Sequence, residues 1–455
     1  MSFFEAIQNA NDFVNGLVWG PPMLVLIVGA GIFLTLATKF FQVSKIKVWW
    51  KGTFGQLFKK QEKVKDSNIT PFQAVSTALA STVGTGNVVG VATAIFSGGP
   101  GAIFWMWVSG FFGMMTKYAE VVLSVKYRET DTNGAHHGGP MYYIQNGLNM
   151  KWLAVIFAVF GTFATFGIGN MTQSNAIAAS LSEVFGVPAI ATGIAITAIV
   201  ALVIIGGIKR IASVTEKLVP FMCVFYIIGS VILLVINAGK LGGAFSLIFS
   251  SAFSLRSVGG GVMGYVIMRS MRYGIARGVF SNEAGLGSAP IAHAASRAKD
   301  PVQQGLWGVF EVFIDTIIIC TLTGLVIISS GLYAGELKGV PLVMASFANT
   351  FGRFGGIFVA IGILTFACST ILGWSYYGQQ CLGYLTKNNK VWDMVYKVVF
   401  SLLAIVGATG GLAFVWDISD TLNGLMAIPN LVGVLLLSKV VFDMTKKYLA
   451  EGKSI

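Results

Sequence analysis

The sequence predicts an all-α integral membrane protein, and three observations predict it. Hydrophobic residues make up 55% of the 455 residues and charged residues 11%, against about 25% charged in a soluble globular chain. Mean hydropathy is +0.75. Apolar runs of about 18 residues or more, long enough to cross a bilayer as helix, recur along the whole length.

Eleven segments qualify as spans: 18–40, 70–96, 101–127, 152–184, 188–208, 215–237, 257–280, 303–331, 355–386, 391–409 and 413–440. Ahead of the first, Phe3, Phe4, Ile7, Val14, Leu17 and Val18 follow a helical period and predict a helix lying on the membrane interface. Glu5 and Asp12 precede Gly20 without any Lys or Arg, unlike a secretory signal. Residues 1–69 then hold this segment, an extra span and a basic loop. Residues 70–240 and 241–440 hold five spans each, and 441–455 form a tail.

Charge fixes the expected orientation. With the loop after the first span in the cytoplasm, Lys45, Lys47, Lys51, Lys59, Lys60, Lys63 and Lys65 lie inside. Arg128, Lys151, Lys209, Arg210, Arg277, Arg297, Lys299, Lys387, Lys390 and the tail lysines follow on that side. Only Lys240, Arg256, Lys338 and Arg353 of the 31 basic residues fall outside. The positive-inside rule thus predicts a multi-pass cell-membrane protein with its N-terminus outside and its C-terminus cytoplasmic. It also accounts for the net charge of +12 without a nucleic-acid partner.

Other classes lack their signatures. Cys223, Cys320, Cys368 and Cys381 all lie in apolar segments without Cys-x-x-Cys spacing, and His136, His137 and His293 form no metal pattern. The longest polar segments, 41–69 and 281–302, read as loops too short for a soluble enzyme domain. Membrane lipid is the expected surrounding, and no obligate protein partner is evident.

Two spans weaken their own helices. Ser81–Gly90, "STVGTGNVVG", concentrates glycine, hydroxyl residues and Asn87. Gly84 and Gly86 each lower helix propensity by about 1 kcal/mol relative to Ala. An unwound turn at Val83–Asn87 would free amides for a carboxylate and carbonyls for a cation or ammonium; close helix packing is the alternative. "SVGGGVMGY", Ser257–Tyr265, places Gly259, Gly260, Gly261 and Gly264 early in another span. Without the N-terminal span, these are the first and sixth of ten helices. That is the position of the discontinuous helices in a 5+5 inverted-repeat transporter.

The stretches "STVGTGNVVGVATAIFSGGPGAIFWMWVSGFFGMMTKYAE", "ARGVFSNEAGLGSAPIAHAA" and "LTFACSTILGWSYYG" resemble the alanine/glycine:cation symporter family, within the leucine-transporter-type fold. The resemblance covers the full chain. It implies sodium-coupled symport of small neutral amino acids, alanine and glycine first, with Na+ as co-transported ion. It further implies that amides of Thr85 and Gly86 meet the substrate carboxylate, and that the carbonyl of Thr82 faces the ammonium. Gly260 and Gly261 would complete the seat from the second broken helix. Sodium would lie among the carbonyls of Ala80 and Val83 and the hydroxyls of Ser369 and Thr370. Asn87 would either hold a second ion or brace the turn.

The residues themselves leave alternatives. Ser and Thr often bond back to their own helix. Trp374, one turn beyond Thr370, forms either a wall beside the substrate methyl group or ordinary packing, and Phe366, one turn before Thr370, is expected to cap the same substrate pocket. Asn170 and Gln173 share a face; Asn170 is assigned to the pocket and Gln173 to bracing. Glu311 and Asp315 are spaced i, i+4, with Asp315 about 18 Å from the inner end at 1.5 Å per residue. A charge there costs roughly 2.5–3.5 kcal/mol, so proton coupling, cation attraction and a structural ion pair all stand open. "RYGIARGVFSNEAGLG" (272–287) is read as an inner gate, and Asp417 with Asp420 as an outer latch. The competing functions are a sodium symporter, a proton-coupled transporter on the same scaffold, and a channel. A membrane enzyme would need a nucleophile–base or metal constellation, which the sequence does not offer.

Overall fold

The architecture is seen in a computed structural model that describes residues 3–56, 68–253, 260–410 and 413–451. Nearly all of it is helix. The only sheet among the described residues is a two-residue antiparallel pair, Glu129–Thr130 with His136–His137. The helices that build the site are α1 (Phe3–Val18), α2 (Pro21–Ala37), α3 (Pro71–Thr82), α4 (Val89–Gly98) and α5 (Ala102–Lys126). Then come α6 (Lys151–Phe166), α7 (Thr172–Phe185), α8 (Ala189–Ile204), α9 (Gly207–Ile236), α10 (Gly260–Asn282) and α11 (Pro290–Ala294). The series ends with α12 (Pro301–Val312), α13 (Thr321–Ser330), α14 (Arg353–Thr386), α15 (Lys390–Ala408) and α16 (Ala413–Leu436).

Seven described helical stretches are long and apolar enough to cross a membrane, among them 151–185, 301–330 and 353–386. Val25, Val235 and Ile236 on their outer faces are more than 60% exposed. Outward-facing aliphatic surface of this kind suits lipid, while the polar residues turn inward.

Four interruptions shape the interior. Helices α3 and α4 are separated by a turn at 83–88, as the glycines predict. Between α6 and α7 the backbone widens into a π-helical turn, Gly167–Met171, and between α12 and α13 into another, Phe313–Cys320. Such turns place polar side chains where a regular helix would not, and Asn170 and Asp315 sit on them. The fourth break corrects the sequence reading. Ser257–Gly259 lie outside the described residues, but Gly260 and Gly261 begin α10, which winds on unbroken to Asn282. The chain opens instead at Glu283–Ala289, with positive φ at Glu283 (56°), Gly285 (92°) and Gly287 (81°), before the short helix α11. The segment 281–302, expected as a polar loop, is almost entirely buried at 281–296.

Helix α1 also departs from expectation. Rather than lying on lipid alone, it packs along α16: Gln8 Nε2 donates to Asp417 Oδ2 (3.1 Å) and Asn15 Nδ2 to Asp420 Oδ2 (3.2 Å) and Thr421 Oγ1 (3.0 Å).

Candidate functional site

The site begins with a well-capped helix that is made to stop. Thr70 and Gln73 cap α3 reciprocally, Gln73 N donating to Thr70 Oγ1 (3.1 Å) and Thr70 N to Gln73 Oε1 (3.0 Å). At the other end Val83 leaves the helix (ψ 89°) and Gly84 is extended. A Cβ on Gly84 would sit 2.4 Å from Thr370 Oγ1, so the close approach to α14 requires glycine. The freed groups are partly paired: Gly84 N donates to Asn87 Oδ1 (2.9 Å) and Thr85 N to Gln173 Oε1 (3.4 Å). Among the described residues the Gly86 N–H and the carbonyls of Thr82 and Val83 have no partner.

On the α14 side, oxygens converge. Ser369 Oγ and Thr370 Oγ1 each donate to Ala80 O at 3.1 Å. Each also reaches Phe366 O, at 2.8 and 3.0 Å. Two acceptors per hydroxyl matter here. Either proton can rest on Phe366 O, which leaves the hydroxyl lone pairs facing Ala80 O. Three neutral oxygens thus cluster, with both hydroxyls 3.1 Å from Ala80 O. Hard cations take oxygen ligands of this kind.

On the other side, Thr85, Gly86, Val89, Gly90, Thr93, Ile168, Thr172, Arg277, Phe280, Asp417 and Asp420 line a cavity of about 250 Å³. Gly86 forms its floor against Ser281, whose Cα would lie 3.2 Å from an added Cβ. The sequence-predicted residues divide around it. Ala80, Ser369 and Thr370 come together on one side, Thr85 and Gly86 line the cavity on the other, and Val83 stands at the end of α3. Thr82 bonds its hydroxyl back to Ala78 O (3.2 Å) and contributes backbone only. Phe366 packs on Tyr226 with ring centroids 5.2 Å apart and serves the site through its carbonyl. Trp374 lies against Gly169 of the π turn, one residue from the cavity-lining Ile168.

Two assignments change, and the choice left open at Asn87 narrows. Asn170 donates to Phe400 O and accepts from Ser174 Oγ (3.2 Å), so it braces α15, while Gln173 touches the unwound turn. Gly260 and Gly261 are removed from the seat: they precede Ser281 by about 20 residues of helix, or roughly 30 Å. The Asn87 side chain is engaged at both ends. Its oxygen accepts from Gly84 N and its Nδ2 donates to Asp315 Oδ1 (2.6 Å), so the side chain braces the turn.

Asp315 ties both breaks together. Besides Asn87 it accepts from Ser281 Oγ at the end of α10 (3.1 Å) and from Thr316 Oγ1 (2.8 Å), which in turn accepts from Asn282 Nδ2 (3.1 Å). Glu311, one turn earlier, belongs to a separate buried network. Lys117 Nζ pairs with its Oε1 and His293 Nε2 meets its Oε2, both at 3.1 Å, and His293 Nδ1 meets Gln304 Nε2 at 2.8 Å. Of the roles open to it, Glu311 therefore takes the structural ion pair. The second break is held from α5 and α16. Gly285 N donates to Glu120 Oε1 (3.0 Å) and Asn430 Nδ2 donates to Gly285 O (2.9 Å). Lys117, Glu120 and Asn430 were missed in the sequence. A Lys and a Glu three residues apart in the middle of a span, facing one side, were the available signal. Arg277 was placed at the inner end by charge alone, yet it shares a cavity with Asp417 and Asp420.

The sequence and the fold both have known relatives. The profile of the sodium:alanine symporter family matches residues 4–454. The sodium/alanine symporter AgcS of Methanococcus maripaludis is 50% identical over 456 residues, with 98% of each chain covered. A Bacillus subtilis protein named as a probable sodium/glutamine symporter, GlnT, is 36% identical, covering 99% of this chain and 92% of its own. In fold alone, the chain is similar to a Na+-coupled sialic acid symporter in a substrate-bound outward-open state, with a TM-score of 0.55, 14% identity, and 93% and 86% of the two chains covered. A multi-pass membrane transporter rather than an enzyme, the chain belongs to the sodium:alanine symporter family.

Proposed function

We propose that the chain couples sodium entry to the uptake of a small neutral amino acid, alanine or glycine, by alternating access. The observation that carries this reading is the unwound turn at 83–87. Its unpartnered Gly86 amide faces a cavity, and the carbonyl–hydroxyl cluster of Ala80, Ser369 and Thr370 lies on its far side. Irregular backbone survives at membrane depth only where it lines a cavity or is packed in protein. Its amides then suit a carboxylate and its carbonyls a cation. Here the Gly86 amide, with Thr85 after release from Gln173, takes the carboxylate. The Thr82 carbonyl takes the ammonium, and Ala80, Val83, Ser369 and Thr370 take sodium. Both ligands stabilise one backbone geometry, so each raises the affinity for the other by the same factor. The relatives' names, sodium/alanine and sodium/glutamine, support the ion and the neutral amino-acid class.

The same reading includes eleven spans and a 5+5 repeat whose halves have opposite orientations in the membrane. The two broken segments, 71–98 and 260–294, support it by standing first and sixth after the N-terminal span. The N-terminus lies outside and the C-terminus in the cytoplasm.

Purified protein in proteoliposomes tests the reading. An inward sodium gradient should concentrate alanine above its bath level, and potassium should not replace it. A flat alanine trace under that gradient would sink the proposal. A proton-coupled second reading is favoured by one contact, Asp315 on Asn87. Uptake driven by a pH gradient without sodium would move the coupling to Asp315.

A further inference from the structure

The chain leaves α2 by a sharp turn. Lys39 and Phe40 both take positive φ, 55° and 53°, a region that residues with a Cβ seldom adopt. Phe40 N donates to Thr35 O across this turn (2.8 Å). Two short helices follow, Phe41–Ser44 and Ile46–Gly52, and then a tighter turn, Phe54–Gln56. Their inner side is fixed to the bundle. Phe41 stacks on Tyr118 of α5 with ring centroids 5.3 Å apart. Gln42 Nε2 donates to Thr35 Oγ1 (3.0 Å), and the buried Trp49 indole donates to Gln42 O (2.9 Å). Trp49 and Trp50 both pack on Phe313, at 5.7 and 6.2 Å between centroids.

The outer side has a different chemistry. Phe40, Val43, Ile46, Trp50 and Phe54 are between 38% and 55% exposed. They recur every three or four residues, as on one helix face. Lys39, Lys45, Lys47 and Lys51 are exposed among them. Lys47 and Lys51 each follow a residue of the stripe, which places them beside it, about 100° round the helix. No Asp or Glu stands between Thr38 and Gln56. None of the four lysines forms an ion pair among the described residues. Water suits the lysines but not the stripe, and acyl chains suit the stripe but not the lysines. A leaflet with anionic headgroups suits both.

We propose that residues 39–54 are a docking surface for anionic phospholipid of the cytoplasmic leaflet. The stripe enters the acyl region and the lysines pair with headgroup phosphates. This rests on the orientation in the reading above, which puts the segment inside. The surface also has a route to the central site. Phe313, packed against Trp49 and Trp50, opens the π turn that carries Asp315. Asp315 in turn ties Asn87 of the first break to Ser281 at the second. Lipid that seats the segment therefore steadies this tie, and uptake rises with the anionic fraction of the bilayer.

The experiment uses the full-length protein in phosphatidylcholine vesicles. A pyrene-acyl phosphatidylglycerol is titrated in, and energy transfer from tryptophan reads its affinity, with pyrene-acyl phosphatidylcholine as reference. Wild type should prefer the anionic lipid. Each lysine near an anionic surface is worth about fivefold in binding. Lys39→Gln, Lys45→Gln, Lys47→Gln and Lys51→Gln combined should therefore weaken the affinity about tenfold or more. Lys446→Gln with Lys447→Gln, in the tail, should leave it near wild type. Val43→Ser with Ile46→Ser should weaken it through the stripe, and inorganic phosphate should not displace the lipid. Sodium-driven alanine uptake per protein should rise when phosphatidylglycerol is added to wild-type vesicles. Phe313→Leu should keep the lipid affinity and lose that rise. An affinity untouched by the combined lysine variant overturns the inference, and so does an equal loss in the tail variant. Displacement by inorganic phosphate, or wild-type uptake indifferent to phosphatidylglycerol, does the same. Lysine-dependent lipid binding with no alanine accumulation in any bilayer would instead indict the transport reading.

Discussion

Gly84 shows how much one absent methyl group holds in place. Its Cα lies so near Thr370 that a Cβ would meet the hydroxyl oxygen at 2.4 Å. Gly84→Ala must push α14 from the turn or turn the Thr370 side chain away, and overpacking of this kind costs about 1–3 kcal/mol. The expected result is a rise of about tenfold or more in the sodium concentration that half-saturates alanine uptake. Ser369→Ala with Thr370→Ala tests the same oxygens without crowding. Sodium dependence should weaken more than surface abundance does, as read by sodium titration against quantified protein. Glu311 behaves differently. Removing it leaves Lys117 charged and buried, which costs roughly 3–5 kcal/mol. Glu311→Ala should therefore lower the thermal melting point sharply, whereas a transport-only role would leave melting unchanged.

At the scale of elements, the breaks are held by residues from other helices. Asp315 joins the end of α10, through Ser281, to the turn before α4, through Asn87. Asp315→Leu removes Oδ1, the one oxygen that accepts from both Ser281 and Asn87, so both bonds are lost. The two broken segments should then move less together. Alanine KM should rise while the protein still elutes as a single folded species, and an unchanged KM would show that the tie carries no coupling. The π turn at Gly167–Met171 depends on a neighbour in the same way. Gly407 of α15 lies so close that a Cβ would meet Met171 Cα at 2.5 Å. Periodicity reads this region as one plain span, because a π turn shifts the helix by a single residue and leaves the apolar pattern intact.

For the whole molecule, linkage makes the site visible in stability. A ligand that binds only the folded form stabilises it by about 2.7 kcal/mol at a hundred times its dissociation constant. Sodium and alanine together should raise the melting temperature by more than the sum of their separate effects, and the excess should vanish in the Ser369→Ala, Thr370→Ala variant. Additive shifts in wild type would mean that the two ligands do not share the turn at 83–87.

Composition and hydropathy by themselves determined that the chain is a bundle of membrane helices, because a lipid environment demands long apolar segments with paired backbone. Local glycine content determined the first break, because Gly84 and Gly86 weaken the very turn that opens. The second break was misplaced for the same reason. The glycines at 259–261 are as numerous, yet α10 winds through Gly260 and Gly261, because helix propensity is a weak prior that packing overrides. The chain opens at 283–289 instead, where Glu120 and Asn430 bind the freed backbone of Gly285. Which side chains share a cavity, and which carboxylate faces which cation, follows from helices far apart in sequence. Arg277 and Asp420 are neighbours, and Lys117 and Glu311 are partners, only because tertiary packing brings their helices together; no local pattern encodes a distance between them.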